Sequence, residues 1–390
     1  MHLVAFVVGA AIVVTVFWDA FETLVLPLTP RRRLRLTRLF YRATWTWWMA
    51  CARRVRSNDQ RERFLALYGP ASVFVVLTCW IFALVVGYAL LQWSQRDHLA
   101  NVHGAPTFTD DLDVSATALF ALGLSNVAPN GRAGRLLIVA ETGSSLLLLS
   151  MLFSYIAIVY QSFARREVRI TMLDAWAGSP PSATEILSRT AAAGSLSQLD
   201  TFFADWEYWC SDVLESHLSY PAIGYFRSQH PRQSWVSALA TLLDVATLVK
   251  VGIEGVPSWR AHLMFAVARH AAVDLAHVPG TPPRQLSDRL PAHALGQVRS
   301  ELERIGLRPD RSRAADEELI ELRASYEPYV AALASRLMVP LPSWHAVSRN
   351  PDNWQTDHQI TGEAAAPLKA AVHPIPSRDT GIKTDRARWH

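Results

Sequence analysis

Thr109-Asp-Asp-Leu-Asp-Val-Ser-Ala-Thr-Ala-Leu-Phe-Ala-Leu-Gly-Leu-Ser-Asn-Val-Ala-Pro-Asn-Gly-Arg132 is the stretch on which the reading of this chain turns. Asp110, Asp111 and Asp113 crowd its beginning, where carboxylates cap a helix and meet the positive end of its dipole. Residues 112–121 are apolar enough to enter a bilayer but too few to cross one, which takes about 20 residues. Leu122-Gly-Leu-Ser-Asn126 then reads as irregular backbone, and Pro129-Asn-Gly131 as a turn. Irregular backbone at membrane depth survives only where protein or a wet cavity satisfies its polar groups.

The flanking segments supply the membrane. Residues 2–27 form a first apolar run. It lacks the basic leader and small-residue cleavage site of a signal peptide, and Arg31-Arg-Arg33 follows it. Between Phe64 and Gln95 there is no charged residue, and from Thr142 to Ala164 there is none either. The expected organisation is a first span at 1–28, a basic amphipathic cytoplasmic helix at 29–66, and a second span at 67–93. A loop at 94–133, a third span at 134–164 and a linker at 165–182 follow. A cytoplasmic helical domain at 183–340 and a mostly disordered tail at 341–390 complete it. The fold class is thus all-α, with three transmembrane helices and a re-entrant loop between the second and third.

Charge orients these spans. Residues 31–63 hold eleven arginines against Asp59 and Glu62, whereas 94–132 hold Arg96 and Arg132 against four aspartates. Arg165, Arg166 and Arg169 follow the third run. Cytoplasmic loops carry the Lys/Arg excess, so the N-terminus is expected outside the inner (plasma) membrane and the C-terminal half in the cytoplasm. The arginines of 31–63 alternate with Trp45, Trp47 and Trp48, which reads as a helix lying among anionic lipid headgroups. A nucleic-acid surface of the same composition is disfavoured by its place between two spans.

A half-helix and an irregular strand between two spans is the plan of a cation-channel pore loop: the half-helix aims its negative end at mid-membrane, and the carbonyls after it replace ion hydration. Span, half-helix and span resemble the pore module of the potassium-channel superfamily. Trp18-Asp-Ala-Phe-Glu-Thr-Leu-Val-Leu-Pro27 and Arg165-Arg-Glu-Val-Arg-Ile-Thr-Met-Leu-Asp-Ala-Trp-Ala-Gly-Ser-Pro-Pro-Ser182 look like bacterial proteins of the "two-pore-domain potassium channel" type. The resemblance covers roughly residues 1–185. It implies a homotetramer passing a monovalent cation, potassium, without a cofactor, through a filter at Leu122, Gly123, Leu124, Ser125 and Asn126. Asp113, Thr117 and Ala121 would belong to the pore helix. Against the filter pattern T-V-G-Y-G plus an acid, Ala121 stands for Thr, Leu122 for Val, Leu124 for Tyr, Ser125 for the second Gly and Asn126 for the acid. Only Gly123 is kept. A non-conducting sensor or scaffold on the same module is the alternative, and a membrane-anchored enzyme a third.

Within the spans, Glu141 is a costly carboxylate that either supports the pore loop or pairs with Arg132 or Arg135. Gly143 permits close packing or a gating bend. Asp19 and Glu22 share a helix face and are expected to pair with Arg31–Arg33, Arg165 or Arg166. In the C-terminal half, helices are expected near 183, 195–218, 231–251, 258–277, 293–306 and 315–337. No phosphate-binding glycine pattern occurs. His270, Asp274 and His277 share a face, as do acids of 205–217, but polar solvation is favoured over a metal site. Cys79 is expected to be a small buried hydrophobe, and no catalytic residues are assigned.

Overall fold

The computed structural model describes residues 2–24, 36–95, 99–101, 107–122, 127–129, 131–230, 232–278, 282–284 and 288–345. Among them run α1 (His2–Leu24), α2 (Leu36–Ala52), α3 (Asn58–Trp93), β1 (Leu99–Asn101), α4 (Phe108–Leu119), β2 (Val127–Pro129) and α5 (Gly131–Ala177). There follow α6 (Ala183–Ala192), α7 (Gln198–Ser219), α8 (Trp235–Gly252), α9 (Trp259–His277), α10 (Ala292–Arg304), α11 (Arg313–Ala324) and α12 (Glu327–Leu337). The fold is helical apart from the short antiparallel ladder of β1 and β2.

Four described helices, α1, α3, α5 and α8, are long and apolar enough to cross a membrane by length and composition. They divide sharply by burial. The apolar windows of α1 and α5 are each 22% buried and that of α3 is 39% buried, against 83% for α8. Leu3, Phe6 and Val14 on α1, Phe74 and Phe82 on α3, and Leu136, Leu147 and Phe153 on α5 are exposed. Cys79 is on this exposed side of α3, contrary to the expectation that it is buried; the buried face of the helix is carried by Val73, Val76, Leu77, Trp80 and Leu84 instead.

α1 crosses α3 where glycine faces glycine. A Cβ on Gly9 would sit 2.7 Å from the Gly87 carbonyl oxygen, and one on Gly87 would sit 2.9 Å from Val13 Cγ2. Small residues let helix backbones meet without a strong hydrophobic drive between them. Gly87→Leu is expected to force α1 off α3 and cost about 1–3 kcal/mol, as overpacking does. The midpoint of unfolding by SDS titration checks this.

The pairing expected for Asp19 is met by other partners. Its carboxylate accepts from Trp80 Nε1 at 3.0 Å and Thr37 Oγ1 at 2.9 Å. Arg165 instead pairs with Asp212, and Arg166 with Glu167; Arg31–Arg33 lie outside the described residues.

α2 does not follow the flat, headgroup-bound reading. It runs antiparallel to the first turns of α3. Tyr41 Oη is 3.5 Å from Ser72 Oγ, Thr44 Oγ1 is 2.8 Å from Tyr68 Oη, and Trp48 stacks on Phe64 with centroids 4.4 Å apart. Trp45 is buried, donates from Nε1 to the Arg336 carbonyl at 2.9 Å and packs on Tyr68 and Tyr225. Of the three tryptophans only Trp47 is exposed.

The expected linker is mostly helix. α5 continues to Ala177, giving 47 residues and about 70 Å in one element. Its last turns place Ile170, Leu173 and Ala177 in the same core as α6–α9 and Trp45. α8 is the axis of this lobe: every residue from Trp235 to Val249 is buried. The expected helix at 315–337 is two helices, broken at Ser325–Tyr326, because Pro328 has no N–H to continue a ladder and suits the first turn of a new helix. Residues 341–345 belong to the lobe rather than to a tail. Trp344 is fully buried and its carbonyl accepts from Thr184 N at 3.1 Å. Residues 346–390 lie outside the described residues.

Candidate functional site

α4 has twelve residues, about 18 Å of helix. Its start is held by Asp110, whose carboxylate accepts from Thr107 N–H at 2.7 Å and Thr107 Oγ1 at 2.8 Å. Three contacts fix its course. The Phe108 ring meets Trp93 at the end of α3, with centroids 5.9 Å apart. Ser115 Oγ donates to the Val85 carbonyl at 3.0 Å, two turns back along α3. Thr142 Oγ1, eleven residues into α5, donates to the Ala118 carbonyl at 3.2 Å. α4 therefore descends between α3 and α5, while β2 returns beside β1 at the Trp93 end.

Glu141 is the knot. It is fully buried. One oxygen accepts from Gln92 Nε2 at 2.8 Å, and the other is hydrogen-bonded to Ser115 Oγ. One side chain of α5 thus fastens α3 and α4 together. Of the two sequence readings, the support of α4 is the one the geometry matches, since no ion pair to Arg132 or Arg135 occurs among the described residues. Gln92 and Ser115 escape sequence reasoning because neutral polar residues in apolar runs carry no charge signal.

The remaining expected site residues fall as follows. Asp113 is exposed, and Thr117 Oγ1 bonds back to the Asp113 carbonyl at 2.9 Å, so neither tethers α4 to a neighbour. Ala121 adopts φ +53°, the left-handed region that a Cβ disfavours, and closes the helix. Leu122 donates its N–H to the Thr117 carbonyl at 2.8 Å, and its side chain is exposed. Gly123, Leu124, Ser125 and Asn126 lie outside the described residues. At Gly143 a Cβ would meet nothing within 4 Å, so this glycine serves no close packing within one chain.

A second constellation joins α5 to the lobe. Arg166 is fully buried. Its guanidinium donates to the Ile223 carbonyl at 3.0 Å and the Phe226 carbonyl at 2.8 Å, and pairs with Glu167 at 2.9 Å. His217 Nδ1 is 2.8 Å from the Val213 carbonyl, so Nδ1 carries the proton and Nε2 accepts from Arg166 at 3.1 Å. Burial, and after it the Arg166 charge, hold His217 far below the ordinary histidine value. The unfolded chain binds a proton near pH 6.5 that folded His217 refuses, so stability is lost as pH falls below about 6.5. We expect the unfolding free energy to fall between pH 7.5 and 5.5 by about 1.4 kcal/mol in total more in the wild type than in His217→Gln. Equal pH profiles would exclude this tautomer.

His270 bonds Asp274 at 3.1 Å and His277 bonds its own helix at the Val273 carbonyl. No cluster of three or more metal-ligating side chains occurs among the described residues. Trp206, Trp209 and Trp235 are core aromatics.

No family model and no solved structure matches the chain. Over 208 residues it is 22% identical to the uncharacterized membrane protein YdjJ of Bacillus subtilis (strain 168), a match covering 53% of this chain and 59% of that protein. The chain thus spans under two thirds of that relative's length. With this likeness and its long apolar helices, the chain is a membrane protein.

Proposed function

We propose that this chain is one subunit of a passive cation pore, assembled from four copies, with potassium as the permeant ion. The supporting observation is α4: a half-helix too short to span, gripped at mid-length by Glu141 and leading into Leu122–Asn126. Its C-terminal end, and the carbonyls there, point toward the middle of the apolar layer, where a cation gains from them. In this reading α1, α3 and α5 cross the plasma membrane, with the N-terminus outside and the lobe in the cytoplasm, as the arginine distribution demands. α8 stays in the lobe, since it is enclosed by protein and carries the buried ion pair of Asp244. Anionic headgroups are assigned to the arginines of 31–63, of which Arg42, Arg53, Arg54 and Arg56 are exposed beside the α2–α3 packing.

The departures at Ala121, Leu124, Ser125 and Asn126 favour one second reading, a sensor or scaffold that keeps the module without conducting. Purified protein in planar bilayers separates the two. The pore reading expects unitary currents that reverse toward the potassium equilibrium potential, and four copies per particle by mass photometry in detergent. Silence at every voltage and pH, or a clean monomer, leaves only the second.

A further inference from the structure

We infer that Glu141 binds a proton and acts as a neutral acid, donating a hydrogen bond to Ser115. The argument is a count of hydrogens. Ser115 Oγ has two oxygen neighbours at bonding distance, the Val85 carbonyl at 3.0 Å and a Glu141 carboxyl oxygen. A hydroxyl has one proton to give. If it goes to an ionised Glu141, two bare acceptor oxygens, Ser115 Oγ and the Val85 carbonyl, face each other at 3.0 Å, a contact that costs free energy. If Glu141 carries the proton, the chain closes: Glu141 O–H to Ser115, Ser115 O–H to the Val85 carbonyl, and Gln92 Nε2–H to the second carboxyl oxygen.

The surroundings agree. No cationic side chain pairs with Glu141 among the described residues; its hydrogen-bond partners are Gln92 and Ser115, both neutral. On α3, the Tyr88 hydroxyl is engaged with Ser144 Oγ at 2.7 Å. On α4, Asp111 is one turn from Ser115, buried and acidic, so a negative Glu141 gains nothing from it. An isolated carboxylate in such a place is strongly penalised, and the group neutralises instead. The α4 grip is therefore a proton-held latch. Removing the proton turns one donor into an acceptor and leaves α4 with a contact short of hydrogen. As regulation this rests on the pore reading, in which alkaline conditions that strip the proton loosen α4 and reduce current; the protonation itself does not.

Infrared difference spectroscopy of full-length protein in liposomes tests it directly, with no current required. Wild type minus Glu141→Gln is expected to show the carbonyl stretch of a protonated carboxyl at neutral pH. Carboxylate stretches in its place would overturn the inference. Ser115→Ala supplies the second arm should the glutamine variant fail to fold. Losing its acceptor, the acid's carbonyl band shifts to higher frequency, whereas an ionised Glu141 has no such band to move. A protonated band in protein that passes no current would leave the inference standing and sink the pore reading alone.

Discussion

Asp244→Ala is expected to destabilise the helical lobe by about 3–5 kcal/mol, the cost of stranding the other half of a buried ion pair. Asp244 is fully buried in the middle of α8. Its carboxylate takes both terminal nitrogens of Arg289 and the Tyr326 hydroxyl, the latter at 2.7 Å. Burial pushes the Asp244 carboxyl up, and the Arg289 fork pulls it back; the same pairing raises Arg289 against its own burial. Arg289 also donates to the Pro342 carbonyl at 2.9 Å and lies over the Trp344 ring. The alanine variant leaves that guanidinium only the longer pairing with Glu327, at 3.5 Å, and loosens the segment that carries Trp344. Loss of tryptophan near-UV signal at a lower denaturant midpoint is the expected readout. The double change Asp244→Leu with Arg289→Met should recover most of the loss, because a well-packed apolar pair can replace an ionic one. A single-variant shift below about 1 kcal/mol would mean the pair is solvated, contrary to the geometry.

Arg166→Ala is expected to uncouple α5 from the lobe. It strips donors from two carbonyls, from His217 Nε2 and from Glu167. Each orphaned buried group costs about 1–3 kcal/mol, and with Glu167 left uncompensated a total of about 3–5 kcal/mol follows. Arg166→Lys should rescue little, since an ammonium is one point and these acceptors are spread around a fork. Hydrogen exchange reads the effect locally: the Phe226 amide, bonded to the Ile223 carbonyl at 3.0 Å, should exchange far faster in both variants. Unchanged exchange there would show that α5 is held to the lobe by apolar packing alone.

What could be read from the residues was what charge and length decide. The apolar runs marked α1, α3 and α5, and the acid-headed apolar decamer marked α4 with its start near Asp110. Glu141 stood out as a lone carboxylate in an apolar run. Its partners did not, because Gln92 and Ser115 sit 49 and 26 residues away and carry no charge. Asp244 was invisible for the same reason: Arg289 is 45 residues distant, beyond α9. Trp45 was placed in the headgroups because arginine beside tryptophan suits a lipid surface and a protein core equally. Only Tyr68, Tyr225 and the Arg336 carbonyl, drawn from three remote elements, decide for the core. The helix expected at 315–337 ignored Pro328, whose position thirteen residues beyond its start outweighs the pattern.

The unbroken length of α5 has a mechanical consequence. Glu141 and Arg166 stand about 37 Å apart on a single rod with no proline between them. A rod without a joint cannot absorb a push by folding at the middle. Torque applied where the lobe grips one end must therefore appear at the other as tilt or axial twist, and about 5° of tilt swings that far point by roughly 3 Å.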